Sequence, residues 1–145
     1  MHISSIVLLF CTLAPPVFSH EVGAANLQGK PSALEQCGVF PQAEMRVCLE
    51  KKSAESGEAL RHAEKQAFSV LSRWNEDVKF IILAKAKLKA SSKAYEQYRD
   101  AQCSFVSALG GGAIGNALEL RRFSCIIDLN LQRARQLDTE TAALP

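Results

Sequence analysis

A cysteine thiol can ligate a metal, cycle between thiol and disulfide, or close a structural cross-link, and spacing separates the three. Four of the chain's cysteines, Cys37, Cys48, Cys103 and Cys125, lie beyond residue 24. No two cysteines are spaced as Cys-x-x-Cys, so neither a zinc ribbon nor a thioredoxin-like redox pair is indicated. With only His20 and His62 beyond the first apolar run, no dense set of metal ligands exists, and no metal or cofactor is expected. An even set of cysteines in a short chain reads as a disulfide framework closed in an oxidising compartment.

Catalytic chemistry has little to stand on. His62 is surrounded by Arg61, Glu64 and Lys65 on what the pattern makes an exposed helix side, with no serine or cysteine nucleophile evidently paired to it. Gly110-Gly111-Gly112-Ala113 lacks the Gly-Lys-Ser/Thr ending of a phosphate loop and follows no strand. The expectation is a binding protein rather than an enzyme. Formal net charge is +2, from 17 basic and 15 acidic residues, which gives no reason to expect nucleic acid.

The basic residues are nonetheless uneven. Lys79, Lys85, Lys87, Lys89 and Lys93 lie between Asp77 and Glu96 with no acid among them, and Lys85, Lys89 and Lys93 are one helical turn apart. Like charges at that spacing cost a helix a few tenths of a kcal/mol per pair, so local stability did not select them. Such a ridge can steer the chain toward an acidic cleft, an anionic lipid surface or a wall polymer; a merely solvated face is the alternative. Lys85, Lys89 and Lys93, with the glycines Gly110, Gly111 and Gly112, are the candidate partner-binding residues.

These residues need elements to hold them. Residues 1–24 read as an export leader: Ile6 to Ala14 is an apolar run too short to span a bilayer, followed by Pro15-Pro16 and two small-residue cleavage sites, after Ser19 or after Ala24. Cys11 leaves with the leader; Phe10 before it argues against a lipid-attachment cysteine. Residues 25–31 form a loose arm, 32–140 a single helical domain, and 141–145 a tail.

Within the domain, Ser32-Ala33-Leu34-Glu35 has capping-box spacing and predicts a short helix ending near Gly38. Pro41 suits a helix start, with Met45, Cys48 and Leu49 on its buried stripe, and Leu60, Ala63, Ala67, Leu71 and Trp74 continue at three- and four-residue spacing. Whether Gly57 breaks that helix, and whether Asn75-Glu76-Asp77 caps a new one, stays open here. Val78, Ile81, Ile82, Leu88, Tyr95, Tyr98, Phe105 and Leu109 mark the face of a long helix stopped by Gly110-Gly111-Gly112. Ala117, Leu120, Phe123, Ile127, Leu131 and Ala134 give the last. Convincing strand alternation is absent, so the expected fold is all-α: a small disulfide-stapled bundle of three principal helices.

Several of these residues recur together in one family. Cys37 with Met45-Arg46-Val47-Cys48, then Tyr98-Arg99-Asp100-Ala101-Gln102-Cys103, the glycine turn, and Cys125 with Arg133 and Leu137 resemble the LprI-type lysozyme inhibitors, small exported four-cysteine helical proteins. The chain departs from that pattern at Ser91-Ser92 and Tyr95, where the family carries an Ala-Gln pair and then a tryptophan, and at Asn130, where it carries threonine. The resemblance implies non-covalent inhibition of a lysozyme or muramidase by occlusion of its cleft. An envelope protein that binds lipid, wall polymer, a secretion component or another exported protein is the alternative, with a membrane-surface contact in view.

Tyr98, Arg99 and Asp100 can serve a partner or the bundle, since Tyr and Arg dominate binding hot spots. Adjacent helix residues point apart, which favours a bracing role in which Arg99 meets an acid on the last helix such as Asp128; Arg133 is read the same way. Cys37 is expected to pair with Cys48, about 10 Å into a helix begun at Pro41, because the step from Cys37 to Pro41 reaches roughly 13 Å. Cys103 is expected to pair with Cys125. Straight helices would miss that register by about 9 Å, so Ala113 to Asn116 should be irregular or the helices should cross.

Overall fold

The computed structural model describes residues 31–113 and 115–144; the expected leader, its cleavage sites and all of the arm but Pro31 fall outside them. The described residues form four helices: α1 (Ala33–Cys37), α2 (Gln42–Arg73), α3 (Val78–Ala108) and α4 (Ala117–Ala142). The fold is an all-α bundle stapled by two disulfides, with α1 a single short turn set against the three long helices.

Each start has a local cause. Ser32 Oγ accepts from the Glu35 amide at 3.2 Å while the Glu35 carboxylate accepts from the Ser32 amide at 2.7 Å, the reciprocal capping box. That hydrogen bonding holds the Glu35 carboxyl below its ordinary value. Pro41 stands just ahead of α2 and its carbonyl accepts from the Met45 amide at 2.8 Å. α2 runs unbroken through Gly57, because Ser56, Leu60 and Ala63 on its inner stripe are all buried and packing holds the local weak point. A break does occur at Trp74, whose extended backbone ends α2. The cap of the next helix is Asp77, which accepts from the Lys79 amide at 3.0 Å, and not Asn75.

α4 lies parallel to α2 and antiparallel to α3. Gln42, Arg46 and Ser56 meet Asn116, Glu119 and Asn130 in rising order. Cys103, Arg99 and Ser91 meet Cys125, Asn130 and Arg133 in falling order. The packing of α2 on α4 is the most extensive in the molecule, and it divides into two apolar clusters. One gathers Ala33, Cys37, Leu49, Leu120 and Ile127 with Met45 and Phe123 beside them; the other gathers Leu60, Ala63, Ala134 and Leu137 with Leu88 and Tyr95.

Between them sits a polar centre. Asn130, 2% exposed, donates to Ser56 Oγ at 3.1 Å and accepts from Arg99 Nη1 at 3.2 Å, so one amide joins all three long helices. Ser56 passes its own hydrogen to the Ser53 carbonyl at 2.8 Å. Most buried polar groups in folded proteins are paired in this way.

The long-helix face expected for α3 is not one face. Only Cys103 is buried on α3, with Ile81, Leu88 and Tyr95 partly covered, whereas Val78, Ile82, Tyr98, Phe105 and Leu109 are exposed. At 3.6 residues per turn Ile82 and Phe105 stand about 140° apart, wider than two neighbouring helices cover.

Both cystines have the expected partners. Cys37–Cys48 and Cys103–Cys125 show Cα separations of 5.8 and 5.5 Å. The second is reached because α3 stops at Ala108 and α4 begins only at Ala117, leaving non-helical chain to take up the offset. Gly111 turns with φ 56°, a left-handed conformation that glycine adopts without strain, and Ser107 Oγ donates to the Leu118 carbonyl at 2.8 Å to tie the turn. A side chain at Gly110 would collide with Leu118.

Three stability outcomes follow from these contacts. Replacing Cys103 and Cys125 together by Ser should lower the unfolding free energy by about 3 kcal/mol in a denaturant titration, since the bond closes a loop of 22 residues. Asn130→Ala removes one hydrogen-bond partner each from Ser56 and Arg99 and empties a buried position, and should lower it by roughly 2–3 kcal/mol; in a cycle with Ser56→Ala the two losses should fall well short of additive. The third concerns pH. The Arg46 guanidinium, 2.8 and 3.0 Å from the Glu119 carboxylate, holds that carboxyl below its ordinary 4.5. A depressed acid stabilises the fold above its unfolded value and ceases to do so as pH falls through the folded one. Glu119→Gln should therefore melt below wild type at neutral pH, and the gap should close in acid below 4.5.

Candidate functional site

Of the Tyr98-Arg99-Asp100 segment, only Arg99 turns into the bundle. Its side chain is 21% exposed, donates to Asn130, and its Nε and Nη2 reach Asp100 Oδ1 at 3.1 and 3.0 Å. Asp128 is not its partner, correcting the sequence expectation. Two positions apart on a helix, Asp128 and Asn130 point nearly opposite ways, and Asp128 instead lines the groove beside α1 with Ala33 and Arg135. Its partial burial there raises the carboxyl above its ordinary value. Tyr98 points outward at 53% exposed, and Asp100 is exposed beside its neighbour.

Arg133 crosses from α4 to α3. Its guanidinium donates to Ser91 Oγ at 2.7 Å and Gln136 Oε1 at 2.9 Å and lies over the Tyr95 ring, 5.7 Å from the centroid. Burial pushes the Tyr95 phenol above its usual range. Leu137, 5% exposed, and the partly buried Met45 belong to the two apolar clusters. These motif residues are thus spent on packing and register, Tyr98 and Asp100 excepted.

The lysines are differently placed. Lys89 and Lys93 are exposed and Lys85 is half-buried, its ammonium 4.8 Å above the Phe68 ring of α2. Among the described residues, none of Lys85, Lys87, Lys89 and Lys93 has a carboxylate within ion-pair distance, whereas Lys79 is 3.3 Å from Asp77. The ridge is therefore a run of charge along α3 without carboxylate partners. Of the glycines, Gly110 is packed beneath Leu118, while Gly111 and Gly112 are exposed with open space around them.

One surface is absent from the sequence expectations, which place Val78 and Ile82 on a buried face and give Phe68, Phe80 and Leu83 no role. At the end where α2 passes into α3, Phe68 is 50% exposed, Val78 67%, Phe80 46%, Ile82 63% and Leu83 53%. Trp74, Phe80, Leu83 and Ala84 form a shallow apolar dish there, rimmed by Glu76 and Lys87. A run of consecutive apolar residues at the start of a helix, Phe80-Ile81-Ile82-Leu83, was the signal in the sequence. A second, open groove beside α1 carries Glu35, Lys52, Glu55, Asp128 and Arg135, charges of both signs.

Among the described residues no cluster of His, Cys, Asp and Glu is arranged to hold a metal ion, and no helix is long and apolar enough to cross a membrane. His62 is exposed on α2. The arrangement offers surfaces for binding, with charge concentrated on one helix and apolar area at one end.

No curated protein and no solved structure matches the chain. A family model described as lysozyme inhibitor LprI matches residues 38–137, from the turn before α2 to the buried Leu137. That stretch takes in the glycine turn, the Cys103–Cys125 bond and the Arg99 and Arg133 braces between α3 and α4, and by it the chain belongs to the LprI lysozyme inhibitor family.

Proposed function

We propose that this protein is an exported binding protein that inhibits a lysozyme stoichiometrically and without covalent chemistry, by covering the enzyme's cleft. Family membership carries the reading, and the α3 ridge supplies a physical means. Glycoside hydrolysis uses a pair of carboxyl groups flanking the scissile bond, so a muramidase cleft presents acidic groups to an approaching molecule. Lys85, Lys89 and Lys93, without acidic partners, give this chain a field of the complementary sign, which raises the rate of productive encounter. A rigid bundle held by two disulfides loses little conformational freedom on binding.

Export accords with the leader pattern of residues 1–24 and with cystines that persist in the periplasm or outside the cell. An envelope protein that binds lipid or wall polymer is the second reading, favoured by the apolar end of the α2–α3 pair.

Titration of the purified protein against muramidase digestion of cell walls should abolish activity near one equivalent. No loss of activity at micromolar excess, with animal-type and phage-type enzymes alike, would sink the inhibitor reading. Changing Lys85, Lys89 and Lys93 together to Gln should slow association strongly at low salt and flatten its decline as ionic strength passes about 0.1 M, where the screening length is about 10 Å. The triple variant should melt no lower than wild type, because it relieves repulsion between successive turns. An unchanged association rate across that salt range would leave the ridge a solvated face.

A further inference from the structure

We infer that the free end of the α2–α3 pair is a docking site for the surface of an anionic phospholipid bilayer. α4 ends at Ala142, five residues beyond Leu137, which packs in one cluster with Leu88. Running antiparallel at equal rise, α4 therefore stops level with Leu83, and the first turns of α3 project past the third helix of the bundle. Every residue from Val78 to Leu83 except Lys79 is apolar, and four of them are about half exposed or more.

Their directions decide what can cover them. At about 100° per residue, Phe80 and Ile82 point some 200° apart, to opposite flanks of α3. A protein face covers one flank of a helix; a helix apolar all round belongs in an apolar medium. Val78 to Leu83 rise about 8 Å, within the roughly 5–10 Å to which interfacial side chains embed in a bilayer. No helix among the described residues can span it, so the contact is superficial.

Charge selects the lipid. Lys85 and Lys87 follow the apolar turns and also point about 200° apart, so cations back both flanks, with Lys89 a turn further on. The ammonium groups of Lys79 and Lys85 each lie over an aromatic ring, 4.8 Å from its centroid, which sets cations directly beside the exposed apolar side chains. The acids of the apex are engaged locally: Asp77 caps α3 and pairs with Lys79, and Glu76 accepts from the Asp77 amide at 2.9 Å.

Trp74 is the chain's single tryptophan and lines the apolar dish with Phe80 and Leu83, so its fluorescence reports this end alone. The full chain is mixed with vesicles of phosphatidylcholine, or of equal phosphatidylcholine and phosphatidylglycerol, with and without brominated acyl chains. Total binding is not scored, since the apolar run Ile6–Ala14 can hold the chain to lipid by itself. The expected result is a shift of Trp74 emission to shorter wavelength and quenching by brominated lipid on the anionic vesicles, both lost at high salt. Phe80→Ser with Ile82→Ser should weaken the response about tenfold, as should Lys85→Gln with Lys87→Gln and Lys89→Gln. Val39→Ser, at the other end of α2 and 78% exposed, should not change it. Unchanged Trp74 emission on anionic vesicles overturns the inference, as does an equal response on neutral vesicles. So does a Trp74 response to a muramidase but not to vesicles, which would make this end a protein contact. The muramidase titration is read separately, so either proposal can fail alone.

Discussion

Asn130 can reach Ser56 and Arg99 together only when α2, α3 and α4 hold one axial register, because a slip of one turn moves each partner by about 5.4 Å, beyond any hydrogen bond. The apolar clusters on either side do not impose this. Leucine and alanine exchange one neighbour for another at modest cost, so Leu60, Ala63, Ala134 and Leu137 could slide where a buried amide cannot. An unpaired buried group forfeits about 1–3 kcal/mol, and the Asn130 amide would lose both its partners at once. Everything positioned by α3, including the lysine ridge and the projecting apolar turns, inherits its height from that amide.

Covalent and ionic ties then close the ends. Arg46 and Glu119 fasten the start of α2 to the start of α4, and Cys103–Cys125 fastens the far part of α3 to α4 across the glycine turn. Between them both arginines brace the seam of α3 on α4: Ser91 and Tyr95 touch Arg133, and Asn130 holds Arg99.

What was legible in the sequence was what depends on neighbours along the chain. The Ser32–Glu35 capping box, the stop at Gly110-Gly111-Gly112, the stripe from Leu60 to Leu71 and both cystine pairings are local matters, and the structure shows each of them. The partner of Arg99 was missed because a choice between Asp128 and Asn130 turns on which flank of α4 faces α3, and periodicity does not encode that. The exposure of Phe80, Ile82 and Leu83 was missed for a related reason. An apolar helix turn looks the same whether a third helix covers it or ends short of it, and the end of α4 is set some sixty residues later in the chain.

The cystines carry a consequence for how such a chain is made. Four cysteines can be joined in three ways, and here each is joined to the next along the chain: Cys37 to Cys48, then Cys103 to Cys125. An oxidant that met residues 25–145 from the N-terminal side onward would encounter the members of each pair in succession, with none of these four cysteines left unpaired when the second pair emerges. Order of appearance alone then specifies the native connectivity, and no wrong bond has to be broken and remade.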